Sequence, residues 1–169
     1  MRRVEARVGR TEETLVLAFA LDGEMARLRI PAPRAPRIAP RLWQHTCFEA
    51  FVAASEAPAY HEFNFAPSGE WAAHAFRGYR DGGPLADEAL APSIAVRRPG
   101  DRLELDAVVR LERLSPVYPC APLRLALAAV IEETSGALSY WALRHAPGWP
   151  DFHHADGFAL RLEPPGRAC

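Results

Sequence analysis

The sequence predicts an all-β protein, an antiparallel β-sandwich of jelly-roll type with about ten strands and long loops at one end. Three observations support this prediction. Apolar and polar residues alternate with period two along many short segments. Turn sequences rich in Gly, Pro, Asp and Ser separate those segments at hairpin-like spacings. Between them there is no room for the helical crossovers that parallel strands require.

Two kinds of strand are expected. Where one face of a segment is polar, the strand should be half-buried, and the segments of this kind are 3–8, 27–30, 102–110 and 158–163. Where both faces are apolar, the strand should lie at the centre of a packed sheet, and the segments of this kind are 14–21, 46–53, 123–131 and 137–143. The Leu and Ala content of 123–133 is also compatible with a helix, but its flanking turns favour a strand.

Four turn sequences are predicted to join neighbouring strands. Asp22-Gly23 is expected to form a hairpin between 15–21 and 26–30. Comparable turns are Pro67-Ser68-Gly69, Pro99-Gly100-Asp101 and Ser135-Gly136. Two proline- or glycine-rich stretches, 31–41 and 78–92, are predicted to be long loops. A closed barrel of lipocalin type is the alternative architecture.

Composition and charge exclude several classes of protein. The 169 residues suit a single domain over 1–169, and a hydrophobic content of 49% excludes a disordered chain. The net charge of −1, without a block of like charge, gives no support to a nucleic-acid partner. All 20 residues counted as Lys or Arg are Arg, which excludes lysine chemistry.

Location is predicted from the termini, the cysteines and the apolar runs. No apolar run reaches the roughly 20 residues of a membrane helix, so no membrane partner is expected. The N-terminal segment is charged throughout, and the three Cys form no CxxC pair. We therefore expect reduced thiols and a cytoplasmic location, with a homodimer left open.

The segment 42–71 carries polar side chains where strands of this kind are usually apolar. Glu49 has Phe48 and Phe51 as near neighbours, and an unpaired buried carboxylate would cost several kcal/mol. If 55–58 is the turn between 46–53 and 60–65, opposing residue numbers sum to about 112. This register places Glu49 opposite Phe63 and diagonal to His61, and it predicts a Glu49–His61 contact.

A second unusual segment, 145–157, is a long loop that contains three of the six His. Its Pro and Gly residues restrict the backbone, and Trp149 argues against disorder. Two interpretations remain open: the loop forms one wall of a ligand site, or it closes one end of the sandwich with its own rings. His153 and His154 alternate, so at most one of them is expected to point into a given site.

The sequence gives little support to a metal site or to catalysis. His45, Cys47, Glu49 and His61 could share a face, but ligands two residues apart on a strand are spread out, and no metal ligand is predicted. No G-x-S-x-G elbow is present, and no catalytic residue is assigned. A hydrolase that uses Glu49 and Glu62, or Glu49 with His residues, is kept as an alternative.

These motifs resemble the bacterial DOMON-like domain proteins. The resemblance is carried by Trp43-Gln44-His45-Thr46-Cys47-Phe48-Glu49-Ala50-Phe51, by Tyr60-His61-Glu62-Phe63-Asn64-Phe65 with the following turn and Trp71, and by Ser139-Tyr140-Trp141 with Pro150-Asp151-Phe152-His153-His154. The family is similar to the family-nine carbohydrate-binding modules. The resemblance implies a β-sandwich with a ligand site at one end or on one face, and a sugar or a haem as ligand.

The expected function is therefore non-enzymatic binding of a small ligand, a carbohydrate or another polar ring. Flat aromatic rings near strand ends suit stacking on such a ligand, and polar side chains supply its hydrogen bonds. The candidate ligand-binding residues are Trp43, His45, Glu49, His61, Asn64, Trp141, His145, Trp149, Asp151, His153 and His154. No cofactor is assigned, and haem b binding of DOMON type is the alternative.

Overall fold

A computed structural model describes residues 2–166, and over this range the chain forms eleven strands in two antiparallel sheets. The strands are β1 (Arg3–Arg10), β2 (Thr14–Asp22), β3 (Cys47–Ala54), β4 (Tyr60–Phe65), β5 (Trp71–Phe76), β6 (Gly82–Leu85), β7 (Ser93–Arg97), β8 (Arg102–Arg110), β9 (Leu123–Glu132), β10 (Leu138–Ala142) and β11 (Leu160–Leu162). Helical structure is limited to α1 (Leu111–Leu114) and short 3-10 turns at Met25–Arg27, Leu42–Gln44, Glu88–Leu90 and Ala155–Gly157. None of the helices described over residues 2–166 is long and apolar enough to cross a membrane.

The two sheets differ in size. The small sheet has four strands in the order β1-β2-β8-β7. The large sheet has seven strands in the order β10-β9-β3-β4-β5-β6, and β11 also pairs with β9. The predicted β-sandwich is confirmed, and the closed barrel is wrong because the strands divide between two separate sheets.

The main core fills the space between the sheets, because alternate residues of each strand point inward. The small sheet contributes Leu15, Leu17, Phe19 and Leu21 from β2 and Leu103, Leu105, Ala107 and Val109 from β8. The large sheet contributes Phe48, Phe63, Phe65 and Trp71, among others. Phe19 and Phe48 stack with ring centroids 5.0 Å apart, which joins the two sheets at their centre.

A smaller apolar cluster covers the opposite, outer face of the large sheet. Phe51, Ala53, Tyr60, Ala126 and Ala128 lie there, packed against Phe76, Ala142, Phe152 and Phe158. Because Phe152 and Phe158 belong to the connection after β10, this connection folds back over the sheet. The continuous apolar runs of β3 and β9 follow from burial on both faces.

Three local predictions are wrong. Asp22-Gly23 does not join two paired strands; β2 pairs instead with β1 and β8, and the 3-10 turn Met25–Arg27 follows. In place of the predicted strand 26–30, the structure has an isolated β-bridge between Leu28 and Glu133. The predicted loop 78–92 contains β6, which extends the large sheet beyond β5. In each case, pairing with distant strands decided the outcome over local turn signals.

The cysteines also differ from expectation. Cys47 is a free thiol, fully buried in β3. Cys120 is disulfide-bonded, so the expectation of three reduced thiols is wrong for this residue. The cytoplasmic location that relied in part on reduced thiols stays a prediction.

The contact between Phe19 and Phe48 generates a prediction about stability. Phe48→Ala should lower the free energy of unfolding by about 3–5 kcal/mol, because it leaves a cavity at the centre of the core. Trp149→Ala, at a ring that is 90% exposed, should change it by about 0.5 kcal/mol or less. Urea unfolding followed by circular dichroism measures both, and equal effects would contradict the assigned core.

Candidate functional site

The outer face of the large sheet carries a row of polar residues that the pairing register determines. Glu49 of β3 lies opposite Asn64 of β4, and Phe51 of β3 lies opposite Glu62. Glu62 in turn lies opposite His74 of β5. Since directly opposed residues point to the same side of a sheet, Glu49, Asn64, Glu62 and His74 share the outer face.

A cavity of about 510 Å³ opens over this row. Its floor is formed by Glu49, Glu62 and His74, and its sides by residues from several other segments. The side residues are Trp43, Gln44, Phe76, Arg80, Gly82, Gly83, Val130, Leu138, Tyr140, Pro150, Phe152 and His153. Strands provide the floor, and strands and loops together provide the rim.

Glu49 is the most deeply placed carboxyl group of the cavity. Glu49 is only 3% exposed, and its Oε1 atom has no hydrogen-bond partner among the described residues. Burial raises the pKa of Glu49 well above its usual range, and the negative charge of Glu62 raises it further. Glu49 therefore favours the neutral, protonated form.

Glu62 is held by a chain of polar contacts beneath the cavity. Asn64 Nδ2 donates a hydrogen bond to Glu62 Oε1, and Cys47 Sγ donates to Asn64 Oδ1 over 3.6 Å. Burial raises the pKa of Glu62, although the Asn64 hydrogen bond and the charges of His74 and Arg80 act in the opposite direction. Burial, with the nearby Glu49 and Glu62, also raises the pKa of the Cys47 thiol, which stays protonated.

The loop after β10 is tied to the cavity through Asp151. This carboxylate accepts hydrogen bonds from the Tyr79 hydroxyl, from Arg80 over 2.8 Å and from the backbone N–H of His153 over 3.1 Å. Burial opposes ionisation of Asp151, but the hydrogen bonds from Tyr79 and Arg80 outweigh it and lower the pKa of this carboxyl. The ionised Asp151 therefore fixes both Arg80 and the start of the His153 turn.

His153 is the imidazole that the loop presents to the sheet. Its Nδ1 atom lies 2.9 Å from the Tyr60 hydroxyl, and its Nε2 atom lies 3.7 Å from Glu62 Oε2. Burial lowers the pKa of His153 to about 4, with a further contribution from the charge of Arg80. The ring is neutral near pH 7 and packs edge-on against Phe51 at 5.1 Å.

The aromatic rim of the cavity remains open to solvent. Trp43 is 48% exposed and stands on the 3-10 turn Leu42–Gln44, which follows Arg41 in the left-handed conformation at φ 56°. Tyr140 of β10 is 44% exposed on the other side. Exposed flat rings above a polar floor are suited to stacking on the face of a polar ring.

Several predicted site residues lie at this cavity. Trp43, Glu49 and His153 line it. Asn64 lies buried beside the floor and supports Glu62, and Asp151 supports the wall through Arg80 and His153.

Two predicted residues lie on the inner side of the large sheet. His61, opposite Val52, bonds to the Tyr118 hydroxyl over 2.9 Å. Trp141 packs against the main core and donates its indole N–H to Ser139 over 3.1 Å. Trp141 also lines a second cavity of about 440 Å³, where Glu5 is the one titratable group among the lining residues within 2–166.

The other predicted residues lie away from the cavity. His45 pairs with Glu132 Oε2 at 2.8 Å, and His154 accepts a hydrogen bond from the Asp156 N–H at the 3-10 turn. His145 is exposed, with its ring centroid 6.4 Å from that of Phe152, and Trp149 is exposed to solvent. Their positions place them outside the lining of the cavity.

The predicted contact between Glu49 and His61 is wrong. The observed pairing of β3 with β4 gives residue numbers that sum to 113, as in Glu49 with Asn64. A shift of one residue relative to the predicted sum sends His61 to the opposite face from Glu49.

The same register explains which site residues the sequence analysis missed. Glu62, His74, Phe76, Arg80, Tyr140 and Phe152 line the cavity but were not among the candidate ligand-binding residues. With the correct pairing, Phe51, Glu62 and His74 lie side by side in one row across three strands, so the two polar residues could have been assigned to the site. Arg80 could not have been found in this way, because its position depends on the loop that carries Asp151.

Metal coordination is not supported by the arrangement of side chains. Within the part of the chain that the structure describes, His, Cys, Asp and Glu residues form no group of three or more that could hold a metal ion.

Comparison with known proteins gives a result at the level of the fold. No family model matches the chain, and no curated protein matches it either. Among solved structures, it is similar to a candidate carbohydrate-binding protein from Bacteroides uniformis, with 14% identity and a TM-score of 0.66 over 92% of this chain and 76% of that one.

It is also similar to a family-nine carbohydrate-binding module from Caldicellulosiruptor kristjanssonii. The structure of that module with glucose has 10% identity and a TM-score of 0.61 over 99% of this chain and 79% of the module. A structure of a family-nine module from the same organism with cellotriose gives a TM-score of 0.55 at 10% identity, over 88% of this chain and 68% of that one. The chain therefore shares its fold with these structures.

The buried carboxyl of Glu49 generates a prediction about pH. A raised pKa in the folded state means that the native protein loses stability as pH rises above about 4.3, where the unfolded Glu ionises. Glu49→Gln removes this loss, so the unfolding free energy of the variant minus that of the wild type should increase with pH. Urea unfolding at several pH values from acid to neutral measures the difference.

Glu70→Gln is the matched control, with the opposite sign. Burial opposes the ionisation of Glu70, but hydrogen bonds from Arg37 and Ser68 and the charge of Arg34 give this carboxyl a lowered pKa. Its contribution to stability is therefore present above the unfolded pKa and is lost as pH falls. The variant minus wild-type difference should decrease with rising pH, and parallel slopes for the two variants would refute the assigned environments.

Proposed function

We propose that this protein binds a carbohydrate or a similar polar ring, without catalysis, in the cavity on the outer face of its large sheet. The observation that carries the proposal is the combination of a rim of exposed rings, Trp43 and Tyr140, with a buried polar floor at Glu49 and Glu62. A sugar has an apolar face that stacks on aromatic rings and hydroxyl groups that donate to carboxylates.

The depth and polarity of the cavity support this proposal. A volume of about 510 Å³ falls within the range of small-ligand sites. The unpartnered Oε1 of Glu49 gives a ligand one acceptor that no described protein group uses. Most of the floor lies on hydrogen-bonded strands, so the ligand would meet polar groups that are already positioned.

The fold similarity supports the same proposal from a second direction. Structures with this fold include family-nine modules determined in complex with glucose and in complex with cellotriose. We extend the proposal to affiliation with the bacterial DOMON-like proteins, which the motifs around Glu49 and His153 support. A cytoplasmic location and a homodimer stay predictions, which cell fractionation and light scattering would test.

Haem is not favoured by the residues of the cavity. The His153 side chain is only 16% exposed, is bonded to Tyr60 through Nδ1 at 2.9 Å and packs edge-on against Phe51, so its ring is poorly placed to reach a haem iron. Addition of haemin to the purified protein, followed by absorption in the Soret region, tests the haem alternative. The hydrolase alternative stays a prediction, which chromogenic glycosides and esters would test.

The exposed ring of Trp43 generates a prediction about binding. With glucose and cellotriose as probes, Trp43→Ala should weaken binding about tenfold, because stacking contributes about 0.5–1.5 kcal/mol beyond area burial. Isothermal titration calorimetry measures the affinity, and quenching of Trp fluorescence should disappear in the variant.

Trp149→Ala is the control for this experiment. It removes a ring of the same type that is 90% exposed and lies outside the cavity lining, so binding should be unchanged. Equal weakening by both substitutions, or none by either, would contradict the placement of the ligand between Trp43 and the sheet.

A further inference from the structure

The floor of the cavity contains more carboxyl groups than a neutral ligand requires. Glu49 and Glu62 lie diagonally across two paired strands on the same face, and both line the cavity. Glu49 is nine-tenths buried or more, and its Oε1 has no partner. Asn64 lies directly opposite Glu49, and its amide donates to Glu62 instead of to Glu49.

The charged groups that face Glu49 leave the cavity acidic. Arg80 is the only permanent cation among the described residues of the lining, and it is bound by Asp151 at 2.8 Å. His74 lies 3.9 Å from Glu62. Cys47 and Tyr60, whose pKa values burial raises, add no charge near pH 7. A pKa of about 4 likewise keeps His153 neutral.

We infer that the cavity is specific for a polar ring that carries an amino group, such as an amino sugar, with its ammonium group placed against Glu49 and Glu62. This inference rests on the proposed function and names the class of ligand for the same site. The ammonium group has three donors and a positive charge, which match the unpartnered Oε1 of Glu49 and the second carboxyl beside it.

The rim of the cavity suits the same ligand. Phe76 and Tyr140 line it together with Trp43, and ring faces attract a desolvated cation. A hydroxyl group in the same place would supply one donor and no charge, so it would leave part of the acidic floor unmatched. The difference between the two ligands is therefore expected to be large.

Binding of the ammonium group should release a proton. In the free protein burial and the charge of Glu62 raise the pKa of Glu49, so this carboxyl holds a proton more readily than an exposed Glu does. An adjacent cation favours the carboxylate, so the proton of Glu49 passes to solvent when the ligand binds. Affinity should therefore rise with pH until the ligand amine itself loses its proton.

The test compares three ligands that share one ring: glucosamine, N-acetylglucosamine and glucose. Calorimetry on the full chain, with a chelator present to exclude metal ions, should give an affinity for glucosamine about tenfold or more above the other two, as for a charge-assisted hydrogen bond. Repeating the titration in buffers of different ionisation enthalpy should show proton release with glucosamine alone.

Substitutions of the two carboxyl groups test where the ammonium group binds. Glu49→Gln and Glu62→Gln should each lower the affinity for glucosamine about tenfold and leave that for glucose within about threefold. Glu70→Gln, a buried carboxyl outside the cavity, should change neither. Since the ligand comparison uses the wild-type protein, it remains decisive if a variant does not fold.

The outcomes separate the two proposals. Glucose or N-acetylglucosamine binding as tightly as glucosamine overturns the inference of an amino ligand and leaves the proposed sugar binding intact. Binding of none of the three, nor of cellotriose, overturns the proposed function itself. Tighter glucosamine binding that survives both carboxyl substitutions places the amine elsewhere and also overturns the inference.

Discussion

The pairing register of β3 with β4 and β5 is the constraint on which the site depends. Because side chains alternate along a strand, Glu49, Glu62, Asn64 and His74 share the outer face only with the observed pairing. A slip of one residue would send Glu62 into the main core and Phe63 to the outer face. Burial of the apolar inner residues fixes the register of the three strands. It therefore also determines which polar residues lie on the outer face.

The main core stabilises the fold enough to offset the cost of the acidic face. Phe48, Phe65 and Trp71 are fully buried on the inner side of the same strands that carry the site. Each unit by which burial raises a carboxyl pKa costs about 1.4 kcal/mol above that pKa. This cost is small beside the burial of several aromatic side chains, each of which contributes about 3–5 kcal/mol when measured by truncation. The sheet can therefore hold a destabilising polar face for binding.

The sequence was sufficient for the fold class and for most of the strands. Period-two alternation identified β8 with the observed bounds, because it reflects burial of one face, and the flanking turns placed β4 at 60–65. It was insufficient for the pairing around Asp22-Gly23, where the partner of β2 is β8, some 80 residues away. Local turn chemistry contains no information about such a partner.

The candidate site was predicted only in part, because it too depends on pairing and on loop contacts between distant residues. Glu49 was identified because a carboxyl group is unusual in an apolar strand, and Trp43 was identified because its flat ring lies near a strand end. His61 was assigned to the wrong face, because the estimated turn displaced the register by one residue. The wall at Asp151 and Arg80 depends on two loops that meet only in the folded chain, so no periodicity could reveal it.

The loop after β10 explains why a cavity exists on a face that strands alone would leave flat. Phe152 and Phe158 pack on the outer apolar cluster and cover one end of the sheet, while the row at Glu49 lies at the bottom of the cavity. His153 stands at this boundary, bonded to Tyr60 and close to Glu62. The loop thus acts both as a cover for apolar residues and as a wall for polar ones. Its position is fixed by Asp151, which links it to the β5–β6 connection through Tyr79 and Arg80. Any ligand that contacts Glu62 must therefore also lie against this wall.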